Sequence, residues 1–243
     1  MKIAIFSDIH GNLEALVAVL QDIAARKCDF RYCLGDIVGY GANPRECLEL
    51  IRANGIPAIK GNHDDFAATD LPLGMFNPAA AHAMSWTRAA LTAEQRQWLS
   101  KLPYQIQVPE HGFCLYHANG VCPEGFEYIF SEYAAGQTIK RQPAPVGFIG
   151  HTHVPAIYKW RNGKPEQVDV EDTKIVKGCR YLFNVGSIGQ PRDGNPQSCY
   201  AIYDTDAQQV NYIRLDYPLT KTQQKIIDAK LPPHLASRLA TGK

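Results

Sequence analysis

Short apolar runs, each followed at once by polar side chains, recur along this sequence. Five runs are predicted to be strands, and they span residues 2–7, 30–34, 56–60, 113–116 and 146–149. The first is apolar nearly throughout, as a strand covered on both faces should be. The polar groups that follow them are, in the same order, Asp8-Ile9-His10, Gly35-Asp36, Gly61-Asn62-His63-Asp64, His117 and Gly150-His151-Thr152-His153. Open α/β sheets carry their chemistry at strand ends. The repetition therefore predicts that these groups share one site.

Helical spacing separates the first three predicted strands. Apolar residues recur at helical intervals from Leu13 to about residue 26. A second helix is predicted to begin at Asn43-Pro44, a favourable pair for the N-cap and first helical position, and to stop at Gly55. The order β-α-β-α-β predicts a parallel sheet covered on both faces.

The pattern changes after the third strand. Residues 66–103 predict a helical insertion with helices over 78–91 and 92–102, and it should flank the cleft because it interrupts the series of polar groups. Strands are then predicted over 104–108, 156–161, 166–170, 181–185, 199–203 and 210–215, with a type I′ hairpin turn at Asn162-Gly163. A helical stretch is expected over 126–135, and one or two helices over the C-terminal tail, 219–243.

Composition narrows the class of protein. The length of 243 residues suits one large α/β domain or a domain with an appendage, and the hydrophobic fraction of 45% is ordinary for a soluble globular protein. The net charge of +1 gives no support for bulk nucleic-acid binding. The first strand is too soon interrupted by charge to be a signal peptide, and no run approaches the ~18 apolar residues of a membrane span. The seven cysteines form no CxxC pair, so we interpret them as core residues in a reducing cytoplasm.

The polar groups offer ligands for divalent metal ions. Two carboxylates, four imidazoles and an amide oxygen form a mixed set that suits Mn, Fe, Co, Zn or Ni: Asp8, Asp36, His10, His117, His151, His153 and Asn62. Seven ligands exceed the need of one ion, whereas two ions that share a carboxylate would use them all. Two cations about 3.5–4 Å apart promote in-line displacement at phosphorus. Such a site would stay positive and attract an anionic phosphate.

In order, the motifs DxH, GDxxGxG, GNHD, a single His after a strand, and GHTH resemble those of the calcineurin-like metallophosphoesterase family, over about residues 1–215. Segments 77–91 and 184–194 also resemble a bacterial and archaeal subgroup labelled diadenosine-tetraphosphatase-like or protein-phosphatase-like. The resemblance implies a four-layer α/β/β/α sandwich of two mixed β-sheets flanked by helices. We therefore expect a single metallophosphoesterase domain over residues 1–243.

The resemblance also implies a role for each motif. One metal ion would be bound by Asp8, His10 and His153, the other by Asn62, His117 and His151, and both by the bridging Asp36. A hydroxide that bridges the two ions would attack phosphorus. Meanwhile His63 would protonate the leaving-group oxygen or steady the transition state.

Two departures from the phosphoprotein phosphatases bear on the substrate. Their second motif continues as GDxVDRG, whereas Gly39 and Tyr40 stand here in place of the Asp that orients the imidazole and the Arg that holds a phosphate oxygen. The Arg that follows their third motif is also missing. Asp64 is a candidate to orient His63 instead, and Arg192 is the arginine in a suitable loop.

Other side chains leave alternatives open. Tyr40 suits stacking on a substrate base as well as packing, and Asn12 suits a substrate contact but is favoured as a helix N-cap. Phe126 and Tyr128 are interpreted as core residues. The predicted function is a cytoplasmic phosphoesterase that acts on small phosphodiester or nucleotide substrates. The alternatives are a serine/threonine phosphoprotein phosphatase, a non-catalytic scaffold on the same fold, and a nuclease.

Overall fold

Two β-sheets and eight helices account for most of the chain in this computed structural model, which describes residues 1–74 and 76–243. The strands among these residues are β1 (Lys2–Phe6), β2 (Phe30–Cys33), β3 (Gln105–Val108), β4 (Phe113–Tyr116), β5 (Val146–Ile149), β6 (Ala156–Arg161), β7 (Lys164–Val168), β8 (Thr173–Lys174), β9 (Arg180–Asn184), β10 (Ser198–Asp204) and β11 (Gln209–Leu215). The helices are α1 (Leu13–Ala25), α2 (Pro44–Ala53), α3 (Asn62–Ala68), α4 (Pro78–Ala90), α5 (Ala93–Ser100), α6 (Glu132–Arg141), α7 (Leu219–Asp228) and α8 (Pro233–Ser237).

Both sheets are mixed. The five-stranded sheet has the order β2-β1-β10-β11-β8, and the six-stranded sheet has the order β3-β4-β5-β9-β6-β7. Strand β1 pairs with β2 in parallel and with β10 antiparallel. In the second sheet β4, β5 and β9 are parallel. Strands β3 and β6 run antiparallel to them, and β7 pairs antiparallel with β6. The wholly parallel sheet expected from the first five elements is therefore wrong, because the strand that covers the other edge of β1 arrives from the end of the chain.

Alternation along β1 explains the layering. Ala4 and Phe6 pack against α1 and α2 on one face of the first sheet, whereas Ile3 and Ile5 point to the other face, where they meet the second sheet. The far face of the second sheet is covered by α6 through Ala135 and Ile139. Helices, sheet, sheet and helix thus form four layers, and the predicted α/β/β/α sandwich is confirmed.

The segment 56–60 is not a strand, contrary to the sequence prediction. It runs beside β2 but makes a single isolated bridge, Cys33 to Ala58. Pro57 has no N–H to donate, and the N–H of Lys60 turns away to the carbonyl of Pro103. The run is apolar because it is buried, although it lacks a full ladder.

Some of the other local predictions are confirmed and one is wrong. Asn162 and Gly163 both have positive φ, 51° and 83°, in the hairpin between β6 and β7, so the type I′ turn is confirmed. The two helices of the insertion are confirmed as α4 and α5, and the C-terminal tail carries α7 and α8. The helix expected over 126–135 is wrong in position, because α6 begins at Glu132 with Ser131 as its N-cap. The domain boundaries stay a prediction.

The structure also describes the state of the cysteines and the character of the helices. All seven cysteines are free, and five of them are buried. None of the helices formed by residues 1–74 and 76–243 is long and apolar enough to cross a membrane.

Candidate metal centre and active site

Strand ends from both sheets converge on one buried cluster. Asp8 and His10 follow β1, Asp36 follows β2, His117 follows β4, and His151 and His153 follow β5. Their ligand atoms fall into two groups, and in each group all the atoms lie within 4.8 Å of one another: Asp8, His10, Asp36 and His153 form the first group, and Asp36, His117 and His151 the second. Every member is buried, and Asp36 belongs to both groups. The six predicted Asp and His ligands are therefore brought together.

In the first group, atoms that carry lone pairs face one another. Nδ1 of His10 lies 3.2 Å from the carbonyl oxygen of Val38, and Nδ1 of His153 lies 2.6 Å from that of Gln190. A carbonyl only accepts, so each Nδ1 carries the proton and each Nε2 keeps its lone pair. The two Nε2 atoms are 3.0 Å apart, and that of His153 is 3.2 Å from Oδ1 of Asp8. Electron-rich atoms held this close fit a cation between them.

The second group has the same unsatisfied character. Nδ1 of His117 lies 2.7 Å from the carbonyl oxygen of Leu34, and its Nε2 lies 3.5 Å from Oδ2 of Asp36. Nε2 of His151 and Oδ1 of Asn62 are buried without a hydrogen-bond partner among the described residues. Buried polar atoms without partners are costly and rare. Their presence here fits ligands that await an ion.

The charges of the cluster are perturbed in a way that also favours a cation. Burial would raise the pKa of Asp8 and Asp36, but neighbouring histidines outweigh it and lower both values. Burial lowers the pKa of His10 well below its usual range. In His117 the effect of burial is outweighed by Asp36, and its pKa rises to about 9. The cluster thus carries negative charge that draws positive charge inward.

Five of the ligand residues have left-handed backbone. Their φ angles are 56° for Asp8, 49° for His10, 52° for Asp36, 67° for His151 and 60° for His153. This conformation costs non-glycine residues of order 1–3 kcal/mol each. Asp and His tolerate it better than most residue types. The turns after the strands are tight, and they aim successive side chains at one point.

Two glycines let backbone approach the carboxylates. A Cβ on Gly61 would lie 2.1 Å from Oδ1 of Asp36, and a Cβ on Gly150 would lie 2.4 Å from Oδ2 of Asp8. Any side chain at either position would displace a ligand. This contact explains why glycine opens the third and fifth polar groups.

His63 lies beside the metal groups in a pocket of rings. Its backbone N–H donates to Oδ1 of Asp36 at 2.8 Å. Its imidazole packs against Tyr40, His10 and Phe76, at centroid distances of 4.5, 4.8 and 5.5 Å. Nδ1 has no hydrogen-bond partner within the described chain, and burial lowers the pKa of the ring to about 4. The imidazole is therefore held by packing.

Asp64 does not orient His63. Its carboxylate accepts the backbone N–H groups of Ile37, Val38 and Gly61, at 2.9, 3.3 and 3.0 Å. Burial, followed by the charge of Asp36, raises its pKa to about 7. Asp64 ties the loop after β2 to the start of α3, and it therefore fixes the relative position of Asp36 and Asn62.

The three predicted substrate contacts have different surroundings. The guanidinium of Arg192 is held by Oε1 of Gln190, at 2.8 Å from Nη2, and lies 5.8 Å from the centre of the Tyr40 ring. Tyr40 lines the cleft. Asn12 is 2% exposed, caps α1 through Ala15, and accepts a further hydrogen bond from Thr222. The structure thus gives Asn12 the N-cap role, and its contact with substrate stays a prediction.

A cleft of about 500 Å³ opens beside these residues. Its lining comes from residues between Asn62 and Leu71, between Phe76 and Ala80, and between Glu124 and Tyr128, together with Tyr40 and His151. Phe126 is half-buried and Tyr128 is 51% exposed, so the interpretation of both as core residues is wrong. Ile129 between Tyr128 and Phe130 is buried instead. The alternation at 128–130 was the signal in the sequence that places these rings outside.

A family model described as the calcineurin-like phosphoesterase superfamily domain matches residues 1–208. The chain belongs to this superfamily. A metallophosphoesterase from Sphaerobacter thermophilus is similar over the whole chain, with 40% identity, a TM-score of 0.85, and coverage of 100% of this chain and 99% of that one.

Two further relatives of this chain have descriptive names. The symmetrical bis(5′-nucleosyl)-tetraphosphatase of Actinobacillus pleuropneumoniae is 33% identical over 132 residues, which cover 51% of this chain and 47% of that enzyme. The match therefore spans about half the length of that relative. Phosphodiesterase YfcE of Escherichia coli is 27% identical, with 86% of this chain and 91% of that enzyme covered.

Membership of the calcineurin-like superfamily implies divalent metal ions, and the donor set of this chain fits them. The test is the chemistry of the buried atoms: facing imidazole lone pairs, an unpartnered amide oxygen, and carboxylates with lowered pKa. Nitrogen and oxygen ligands of this kind suit first-row transition metals.

Several residues of segment 184–194 support this site. The sequence suggested that Asn184 and Ser187 shape a loop, but it did not show their contacts or those of Gln190. Ser187 donates from Oγ to the carbonyl oxygen of Asp8 at 2.8 Å, and Asn184 donates to the carbonyl oxygen of Gly150 at 2.7 Å. Gln190 holds both Arg192 and His153. All three belong to segment 184–194, whose resemblance to the subgroup was the available signal. What these residues do, however, depends on contacts with distant parts of the chain.

Proposed function

We propose that this chain is a dinuclear, metal-dependent phosphoesterase that hydrolyses small phosphodiester or nucleotide substrates. The observation that carries the proposal is the pair of ligand groups that share Asp36. Two divalent ions bound there would neutralise phosphate charge and lower the pKa of a bound water. The ligands would be the seven residues predicted from the sequence. The free cysteines further fit a reducing cytoplasm.

Within this proposal His63 handles the proton of the leaving group. Nδ1 lies against Gly39, because a Cβ there would be 2.4 Å from it. Nε2 is therefore the nitrogen that would reach a substrate oxygen. His63 lines the cleft together with Asn62, so a phosphate bound at Asn62 would be next to this proton donor. A positioned general acid contributes about 10²- to 10⁴-fold to rate.

The surroundings of the metal groups favour a substrate with one negative charge and a second organic arm. Arg192 supplies one guanidinium, and Gly39 and Tyr40 stand where the phosphoprotein phosphatases carry Asp and Arg. A monoester dianion benefits more from several charge-assisted bonds than a diester does. The names of two relatives, a nucleosyl tetraphosphatase and a phosphodiesterase, agree with this choice.

Metal stoichiometry tests the dinuclear part. Protein saturated with Mn²⁺ and freed of excess ion should carry two ions per chain by elemental analysis, and Asp36→Asn should carry fewer than one. Asp70→Asn is the matched control, because Asp70 is 86% exposed and pairs with Arg96 on the surface. One ion per chain in the saturated parent protein would contradict the proposal.

A substrate panel tests the class of ester. We expect kcat/KM on bis-p-nitrophenyl phosphate and on a dinucleoside polyphosphate to exceed that on a phosphopeptide, with Mn²⁺ supplied. A phosphopeptide turned over about tenfold better than the diester would favour the phosphoprotein phosphatase instead. Absence of turnover on every ester by the metal-loaded protein would favour the scaffold.

A further inference from the structure

Three aromatic rings form a ladder that leads outward from the second metal group. The ring of Tyr128 stacks on that of His151, with centroids 3.9 Å apart and planes 20° apart. The ring of Phe130 stacks on Tyr128 at 5.4 Å and 15°. His151 is buried, Tyr128 is 51% exposed, and Phe130 is 67% exposed. The ladder thus begins at a ligand residue and ends in solvent.

Exposed aromatic rings beside a polar cluster indicate a binding site. Apolar rings left in water forfeit the stabilisation that burial gives, and contiguous exposed apolar surface marks binding sites. Tyr128 and Phe130 are also aligned before any ligand arrives, so little side-chain freedom remains to be lost on binding. Tyr128 lines the cleft beside His63 and Asn62.

The cleft has room and chemistry for a planar group. Its volume of about 500 Å³ exceeds what a phosphate alone would fill, and Phe66, Leu71 and Phe76 add apolar lining. Glu124 also lines the cleft and offers a carboxylate to N–H groups at the edge of a ring. A flat ring that bears N–H groups and is joined to a phosphate is a nucleobase.

We propose that Tyr128 is a specificity residue whose ring, 51% exposed and lining the cleft, is a platform that stacks on the base of a nucleoside phosphate. This inference rests on the proposed function, because it places the phosphate at the two metal groups. Base–aromatic stacking tolerates any base, since every base has a π-face. The platform therefore selects a nucleoside arm over an aliphatic arm and discriminates weakly among bases.

Two diesters with the same leaving group measure the contribution of the organic group that stays on the phosphate. The p-nitrophenyl ester of thymidine 5′-monophosphate and ethyl p-nitrophenyl phosphate both release p-nitrophenolate, so their ratio of kcat/KM reports the nucleoside arm alone. We expect the nucleoside ester to be preferred, and Tyr128→Ala to reduce that preference by about 5- to 150-fold. Tyr128→Phe keeps the ring and should keep the preference.

Tyr133→Ala is the matched control, because Tyr133 is 76% exposed and is not among the residues that line the cleft. Metal content is measured for each variant, since Tyr128 contacts His151. A Tyr128→Ala protein that keeps its metals but hydrolyses both esters more slowly by the same factor would contradict the proposal. It would show that the Tyr128 ring only holds the imidazole of His151 in place. A parental preference below twofold would also overturn the proposal.

A binding measurement separates this inference from the proposed function. Calorimetry on Mn²⁺-loaded protein compares adenosine 5′-monophosphate with ribose 5-phosphate, which lacks the base. Tighter binding of the nucleotide, lost in Tyr128→Ala, supports the platform even if no ester is hydrolysed. In that case only the proposed catalytic activity would fall. Equal binding of the two compounds would overturn the platform whatever the activity.

Discussion

At the scale of single residues, His63 is placed by rings around it rather than by a hydrogen bond to its side chain. Its N–H bond to Asp36 fixes only the backbone. The position of the imidazole therefore depends on the shape of its neighbours. No hydrogen bond between Nδ1 and the described residues fixes the protonation state of the ring.

We expect His63→Ala to keep both metal ions and to lower kcat by about 10²- to 10⁴-fold, because a proton donor is removed without a ligand. The loss should shrink for nitrophenolate esters, whose leaving groups need little protonation. Elemental analysis and steady-state kinetics check the two parts. If His63→Ala lost as much metal as Asp36→Asn, His63 would be a ligand.

Gly39→Ala should lower kcat by about tenfold or more while the metal content stays unchanged, because the new Cβ meets Nδ1 of His63 at 2.4 Å and pushes the ring. Gly178→Ala is the control. Gly178 has a similar φ, 86° against 91°, but no atom within 4 Å of the added Cβ. Both variants carry backbone strain, so equal losses of activity would assign the effect to stability alone.

At the scale of secondary structure, the C-terminal helix α7 is fastened to α1 by charge. Glu14 is 6% exposed, and Nζ of Lys225 lies 2.7 Å from its Oε1, with Lys221 at 3.4 Å. Burial would raise the pKa of Glu14, but the hydrogen bond from Lys225 outweighs it and lowers the value. The carboxylate at the start of α1 also suits the positive end of the helix dipole.

Glu14→Gln should lower the free energy of unfolding at pH 7 by about 1–2 kcal/mol, because a hydrogen bond to a charged group is lost. The pKa of Glu14 is lower in the folded state, so this stability is present above its unfolded value and disappears as pH falls through the folded one. Urea unfolding at pH 7 and pH 3 checks both. Glu94→Gln, at an exposed pair with Arg52, should have little effect at either pH.

The sequence predicted an element correctly where neighbouring residues determine its structure, and less well where contacts with distant residues do. The ligand residues were predictable because each follows an apolar run, and the order of runs and polar groups is visible without a structure. The segment 56–60 was assigned wrongly because burial was taken for strand pairing, although Pro57 was a warning. Helix α3 was missed, although Asp64, three residues after Gly61, is where a capping carboxylate stands. The stacking of Tyr128 on His151 joins residues 23 positions apart, and no local pattern shows it.

At the scale of the whole molecule, the ligand groups join the two sheets. Asp8 and Asp36 follow strands of the first sheet, whereas His117, His151 and His153 follow strands of the second. Each group contains residues from both. An ion bound in either group would cross-link the two halves of the sandwich.

We therefore expect metal to stabilise the fold as well as to activate it. At a free concentration of about 100 times Kd, bound ligand adds about 2.7 kcal/mol, which corresponds to a rise in Tm of about 5–10 °C for a chain of this size. Thermal unfolding in Mn²⁺ and in a chelator measures it. Asp36→Asn should show a much smaller rise, and a parent protein insensitive to Mn²⁺ would contradict the cross-link.

The left-handed backbone at five ligand positions has a consequence for anyone who redesigns this protein. Glycine takes that conformation without strain, so a procedure that ranks substitutions by backbone strain should favour glycine at residues 8, 10, 36, 151 and 153. Each of those changes would relieve backbone strain in the apo protein and remove a proposed metal ligand. Stabilising this fold thus requires that those five positions be held fixed beforehand, because the substitutions that look most favourable there are the ones that end its chemistry.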